Sequence, residues 1–322
     1  MRHLALALLF MGATDSPKFE LPPSASKLFA DGKWDKTPGS FRVIALSHLA
    51  DGCVGQAKAR PEFTDEARAC VADALRVANK LPRSDDALFL THLNLIYGAA
   101  DALGPCPDEP AHRRLSEALA RRSVADPTKH AASYVKLPVR WPADQSATLA
   151  SLGRYDAAHH THLLDAPLDG WREVMAKHLD AKTGLPVSEV TGKAPGAKYP
   201  RGCAQSFITR YLSEVDPTLA ADWWEKYRAH HLTRIGVIVG FREWPRGVDR
   251  SGDVDSGPIV LGIGAAASAF AIAAAKSQGD DTLAAQLEAS AQTALMLGAG
   301  GKAAQGVLPQ AIQFQGRWQP TK

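Results

Sequence analysis

Two aspartates sit where acid–base chemistry could be built. Asp144 lies in VRWPADQSATLASL and Asp255 in GDVDSGPIVLGIG. Each follows a Pro- or Gly-bearing loop and immediately precedes an apolar stretch of helical spacing. Proton transfer needs two groups in different protonation states, and two carboxylates in different environments can provide them. Aspartate is also a common helix cap, and each one alone reads equally well as a cap. The loop FREWPRGVDRSGDVD, residues 241–255, tips the reading toward chemistry, because long loops of this kind are often functional. It carries Arg242, Glu243, Trp244, Arg246, Asp249, Arg250 and Asp253. Glu243 and His92 are the substitute acid–base groups, although a lone His in an apolar helix is more often a satisfied core residue. Tyr134, Arg140, Trp141, Tyr199, Arg201, Cys203, Gln205, Trp244 and Asp253 are the candidate ligand contacts. Aromatic faces and planar guanidinium forks suit a polyol or sugar-like ligand. Cys203 could also serve as a nucleophile at a helix start, where a thiolate is stabilised. A small buried residue or a disulfide partner is the commoner reading.

Other motifs carry less. Gly262, Gly264 and Ala267 match the dinucleotide pattern G-x-G-x-x-A, but no second strand follows the helix, so tight packing through small residues is preferred. Ser24-x-x-Lys27, Ser84-Asp85-Asp86 and Lys182-Thr183-Gly184 imitate penicillin-recognising enzymes. There the third motif should lie on a strand, whereas WREVMAKHLDAKTGLP reads as a helix ending at Gly184. His159, His160 and His162, with Asp156 or Asp165, have partial metal-ligand spacing. A polar loop is the preferred reading, and no metal or cofactor is expected.

These residues need elements to hold them. From Phe41 onward the pattern is helix after helix, including TDEARACVADALRVANKL with Thr64 as its expected N-cap. Residues 14–40 read as an extended lead-in, and QAIQFQGRW near the end as a short strand pair in a small irregular C-terminal segment. Helices rich in small apolar residues alternate with amphipathic, charged ones. This alternation predicts an all-α fold of stacked helical hairpins, an (α/α) barrel filling residues 41–322 as a single domain. No fixed-length repeat supports an open solenoid. If the apolar helices form the inner ring, their starts open at one end and the polar residues above converge there.

The segments HLNLIYGAADAL, RWPADQSATLASL, HLDAKTGLP, YPRGCAQSF and GDVDSGPIVLGIG together resemble bacterial proteins of the linalool dehydratase-isomerase type. More broadly the chain is similar to the six-hairpin (α/α) barrels, which include glycosidases and polysaccharide lyases. The resemblance covers residues 41–297 as an order of elements. It implies a toroid of six hairpins and acid–base dehydration of an allylic alcohol, with cysteines and a tyrosine near the site. Only Cys203 lies in a plausible place for one of those cysteines, and no catalytic residue is carried over.

Composition bounds the rest. The 322 residues are 45% hydrophobic and 22% charged, with a net charge of +3. That is ordinary for a globular chain and leaves no basic footprint for nucleic acid. MRHLALALLFMGA, residues 1–13, resembles a short signal peptide, although Met11 fits a cleavage site poorly. It predicts a periplasmic or secreted protein with at most weak membrane association through the N-terminus, and a cytoplasmic one otherwise. Cys53, Cys70, Cys106 and Cys203 allow three disulfide connectivities and form no C-x-x-C pair,. A small-molecule or carbohydrate-like ligand is the expected partner, and the oligomeric state is left open. The expected activity is of lyase, dehydratase or glycoside hydrolase type. The rival is a non-catalytic ligand-binding or envelope scaffold protein that uses the same funnel.

Overall fold

The computed structural model describes residues 18–193, 196–297 and 304–321. The signal-like residues 1–13 lie outside the described residues. The described chain is predominantly helical, as expected, with twelve α-helices. The first six are α1 (Pro23–Asp31), α2 (Arg42–Ala59), α3 (Thr64–Ala78), α4 (Ala87–Asp101), α5 (Glu109–Ala125) and α6 (Pro142–His159). The others are α7 (Asp165–Met175), α8 (Gly202–Val215), α9 (Pro217–His231), α10 (Ala265–Ser277), α11 (Asp281–Met296) and α12 (Val307–Trp318). Two small antiparallel ribbons lie between α9 and α10. Strand β1 (Leu232–Ile235) pairs with β2 (Ile238–Phe241), and β3 (Ile259–Val260) with β4 (Ile263–Gly264). No described helix is long and apolar enough to cross a membrane.

Local chemistry sets many of the boundaries. The carboxylates of Asp108, Asp216 and Asp280 accept hydrogen bonds from Ala111, Leu219 and Leu283 N–H, capping α5, α9 and α11,. Proline begins α6 and α9, where its missing N–H costs nothing,. Helix α3 buries Ala67, Cys70, Val71, Ala74, Leu75 and Ala78, a single stripe at helical spacing,. Helix α2 is buried almost throughout from Val43 to Ala57. The expected contrast between inner and outer helices is therefore present.

The inner helices contact one another in a cycle. Helix α2 packs on α4, α4 on α6, α6 on α8, α8 on α10, α10 on α12, and α12 returns to α2. Helices α3, α5, α9 and α11 pack outside it. Apolar clusters fill the two halves, one over α1 to α4 and α12, the other over α6 to α11. Asp51, midway along α2, binds Arg154 of α6 and Arg210 of α8, both of which also bind Glu214. Along α4 and α6, Thr91 meets Thr148, Asn94 meets Ser151 and Asp101 meets His159, so these two helices run the same way.

Several expectations are corrected. Residues 14–40 include helix α1, which puts Ala25, Leu28 and Phe29 into the core. The C-terminal segment is helix α12 rather than a strand pair. Its Phe314 ring lies directly on α2 at Gly52, where a β-carbon would collide with it. The α7 helix stops at Met175, and Lys182-Thr183-Gly184 forms a turn inside a Leu179–Pro186 bridge. Thr64 does not cap α3, and its hydroxyl donates to the Pro61 carbonyl. Residues 259–264 form the β3–β4 ribbon ahead of α10, so Asp255 does not border a helix.

Candidate functional site

The GDVDSG stretch folds as a tight turn organised by Asp253. Its Oδ1 accepts the N–H groups of Asp255 (3.0 Å) and Ser256 (3.1 Å) and the Arg201 guanidinium (2.7 Å). Burial alone would raise the Asp253 carboxyl, but these donors outweigh it and hold the pKa below the usual value,. The glycines beyond the turn permit close approach. Gly262, at φ +83°, lies under the Arg242 guanidinium, and Gly264 lies against Glu243,. The G-x-G spacing is thus packing against two charged side chains.

Arg201 is the centre of the charged cluster. Its Nε donates to Glu243 Oε1 (2.8 Å), while its Nη2 reaches Asp253. Glu243 has no solvent exposure. It also accepts the Cys203 thiol (3.2 Å) and the Cys203 N–H (3.2 Å) at the start of α8. Gly202 N–H donates to the Glu243 carbonyl at 2.7 Å, and a β-carbon at Gly202 would strike the Arg242 carbonyl. Burial raises the Glu243 pKa despite Arg201. Burial, followed by the neighbouring Glu243 charge, drives the Cys203 thiol well above its usual range. A helix start would favour a thiolate, but here the carboxylate wins and Cys203 is a thiol donor rather than a nucleophile.

Asp144 stands in the first turn of α6, half-buried. The N-cap of that helix is Trp141, which makes no side-chain capping bond. Burial pushes its pKa to about 6, against a hydrogen bond from Ser133 and with added repulsion from Asp255. Asp255 is exposed on its turn, and its own pKa is raised by desolvation first and then by Asp253. A carboxylate can touch water in a concave mouth and still have much of its hydration shell replaced by protein. Tyr134 feels Asp144 and Asp255 together, and burial raises its phenol above the usual value. Trp141 meets the Tyr134 ring edge to face at 5.9 Å.

Beside this cluster runs a stack of aromatic rings and guanidinium groups. Arg201 lies 5.5 Å from the Trp244 ring, and Arg250 lies 5.5 Å from Tyr199 and 5.9 Å from Trp244. An open groove of about 890 Å³, lined by Arg242, Asp249, Arg250, Asp253, Pro258 and Leu261, borders it. The groove shares Asp253 with the Arg201 cluster, and neither Asp144 nor Asp255 is among the residues that line it.

The fold thus gathers Asp144, Asp255, Glu243, Arg201, Cys203, Asp253, Tyr134, Trp141, Trp244 and Tyr199 at one end. It does not bring in His92. That ring is fully buried midway along α4, bonded through Nδ1 to Ser47 Oγ (2.7 Å) and flanked by His48 and Phe207. Burial holds it neutral, with its pKa well below the usual value. Arg140 pairs with Asp126 (2.9 Å) and ties the loop before α6. Gln205 donates to the Pro186 carbonyl (2.9 Å), anchoring the loop before α8. Sequence reading missed Ser133 and Glu189. Glu189 is a half-buried carboxylate whose pKa is raised by burial and felt by Arg201 and Asp253. Both lie in loops without periodicity, so no local pattern marks them.

No protein-family model matches this chain, and no curated protein is significantly similar to it.

Proposed function

We propose that the cycle of inner helices is a six-hairpin (α/α) barrel and that the Asp144 end is an acid–base active site for a small hydroxylated ligand. The reaction is of lyase, dehydratase or glycoside hydrolase type. The observation that carries this reading is the unequal carboxyl pair. Asp144, with a pKa near 6, keeps its proton into the mildly acidic range and can donate it to a leaving oxygen,. Asp255, more exposed and without a partner for its carboxylate among the described residues, can accept a proton from the ligand or from water. Arg201, held by Glu243 and Asp253, would bind hydroxyl groups, and the partly exposed Tyr199 ring would stack on the ligand's C–H surface,. The likeness in element order to linalool dehydratase-isomerase proteins fits such a dehydration, and an allylic alcohol belongs among the substrates to test. The Cys53–Cys70 disulfide between α2 and α3 fits a periplasmic or secreted protein, since such bonds persist in oxidising compartments,.

The test is turnover of oligosaccharides, polyuronates and allylic alcohols, read by mass spectrometry, for wild type, Asp144→Asn and Asp255→Asn. Loss of a proton donor should cost at least about a hundredfold in rate. Equal turnover by wild type and both variants refutes the acid–base assignment. The aromatic and guanidinium stack favours a second reading, ligand binding without chemistry. Tight binding of one compound class with no product from any class would select it.

A further inference from the structure

A second polar cluster lies far from the carboxylate mouth. Asp101 is the last residue of α4, His112 sits in the first turns of α5, and His159 is the last residue of α6. Along α6, His159 is fifteen residues beyond Asp144, about 22 Å at the helical rise. Asp101 Oδ2 lies 2.9 Å from His112 Nδ1 and 2.9 Å from His159 Nε2. The three ligand atoms all fall within 4.8 Å of one another. We propose that Asp101, His112 and His159 form a binding site for a divalent transition-metal ion, with zinc the best match.

The donor set suits that chemistry. Two imidazole nitrogens and one carboxylate oxygen converge from three helices, leaving a fourth tetrahedral position for water. The 2.9 Å from Asp101 Oδ2 to each imidazole nitrogen is close to the donor spacing that a zinc ion imposes with bonds of about 2 Å,. The rings are held in place. Tyr155 lies 4.8 Å from His112 and 4.4 Å from His159, and Tyr97 stacks on His112 at 5.7 Å. His112 has no solvent exposure, so its ring position is fixed by the surrounding packing. Binding requires each imidazole to carry its proton on the nitrogen facing away from Asp101. No partner among the described residues ties His112 Nε2 to one tautomer. Asp108 and Glu109 add negative charge at the start of α5, with Arg113 offsetting Glu109 at 2.8 Å. His159, 22% exposed, provides the route from solvent. The His159-His160-x-His162 run that suggests a metal in the sequence contributes one ligand only. His162 instead faces Asp165 at 3.4 Å, both largely exposed.

The experiment is zinc titration of tag-free, metal-stripped full-length protein by calorimetry, with cobalt substitution read by visible absorption. Wild type should bind a single ion per chain and melt at a higher temperature with zinc. His159→Gln should weaken binding by at least about tenfold and abolish the thermal shift. The His160→Ala/His162→Ala double variant should match wild type. Cobalt should give the intense bands of a low-coordinate site in wild type and lose them in His159→Gln. Absence of stoichiometric binding in wild type, equal affinity in His159→Gln, or loss of binding in the His160/His162 variant each overturns the proposal. In those cases the triad is a hydrogen-bonded clamp.

Discussion

Replacing Asp144 with Asn should stabilise this protein, and only above mildly acidic pH. The Asn side chain keeps an oxygen that can accept the Ser133 hydrogen bond and removes the charge that burial and Asp255 oppose. Raising the carboxyl from 3.8 to about 6 corresponds to about 3 kcal/mol,. Asp144 keeps some solvent contact, which screens its charge and trims the expected gain to about 1–3 kcal/mol. The folded state holds this proton more tightly than the unfolded chain does. The penalty is therefore absent below the unfolded value of 3.8, grows as pH rises toward 6, and is constant above it,. Urea unfolding of wild type and Asp144→Asn across this range should show the two curves together at the acidic end. They should separate between the two pKa values and run parallel beyond. At neutral pH the midpoint of thermal unfolding should rise by about 2–8 °C. The same variant should lose turnover, the trade-off expected of a strained catalytic group. A pH-independent difference, or destabilisation at neutral pH, would refute the idea that Asp144 is an acid held in an unfavourable environment.

Two further perturbations probe the frame. Arg201→Gln leaves Glu243 buried without its cation and should cost about 3–5 kcal/mol at neutral pH. Because burial already raises Glu243, the loss should shrink as pH falls and the carboxyl takes a proton. Urea midpoints at two pH values measure this, and an equal loss at both would contradict the charge argument. Cys53→Ser opens a disulfide that spans 17 residues and should lower stability by about 2–4 kcal/mol. Mass spectrometry of non-reduced digests should recover Cys53 and Cys70 on linked peptides, with Cys106 and Cys203 free.

Much of this architecture is written in local pattern. The stripe of α3, the Asp-Glu-Pro and Asp-Pro starts of α5 and α9, and the small apolar runs of α2 and α10 declare helices because backbone caps and side-chain spacing act over three or four residues,. Their alternation also shows which helices belong inside. Asp144, Arg201 and Cys203 lie at the starts of α6 and α8, which local pattern marks, whereas Glu243 follows β2 and reaches them only through the fold. What pattern could not supply was anything depending on distant partners. The segment QAIQFQGRW is helical as α12 because it closes the cycle against α2, with His48 Nδ1 and Gln315 Oε1 meeting at 2.6 Å across 267 residues of sequence. Cys203 could act as a nucleophile beside its own helix start, but burial, and then the Glu243 carboxylate 40 residues away, keeps it a thiol. His92 is a substitute acid–base group by sequence, with a core residue the commoner reading, and the packing of α2 and α8 around it puts it in the core. Asp101 and His159, 58 residues apart, meet only because α4 and α6 end side by side. Helix formation is decided within a turn or two of chain, whereas protonation, burial and ligand geometry are set by whichever atoms the whole fold brings within a few ångströms.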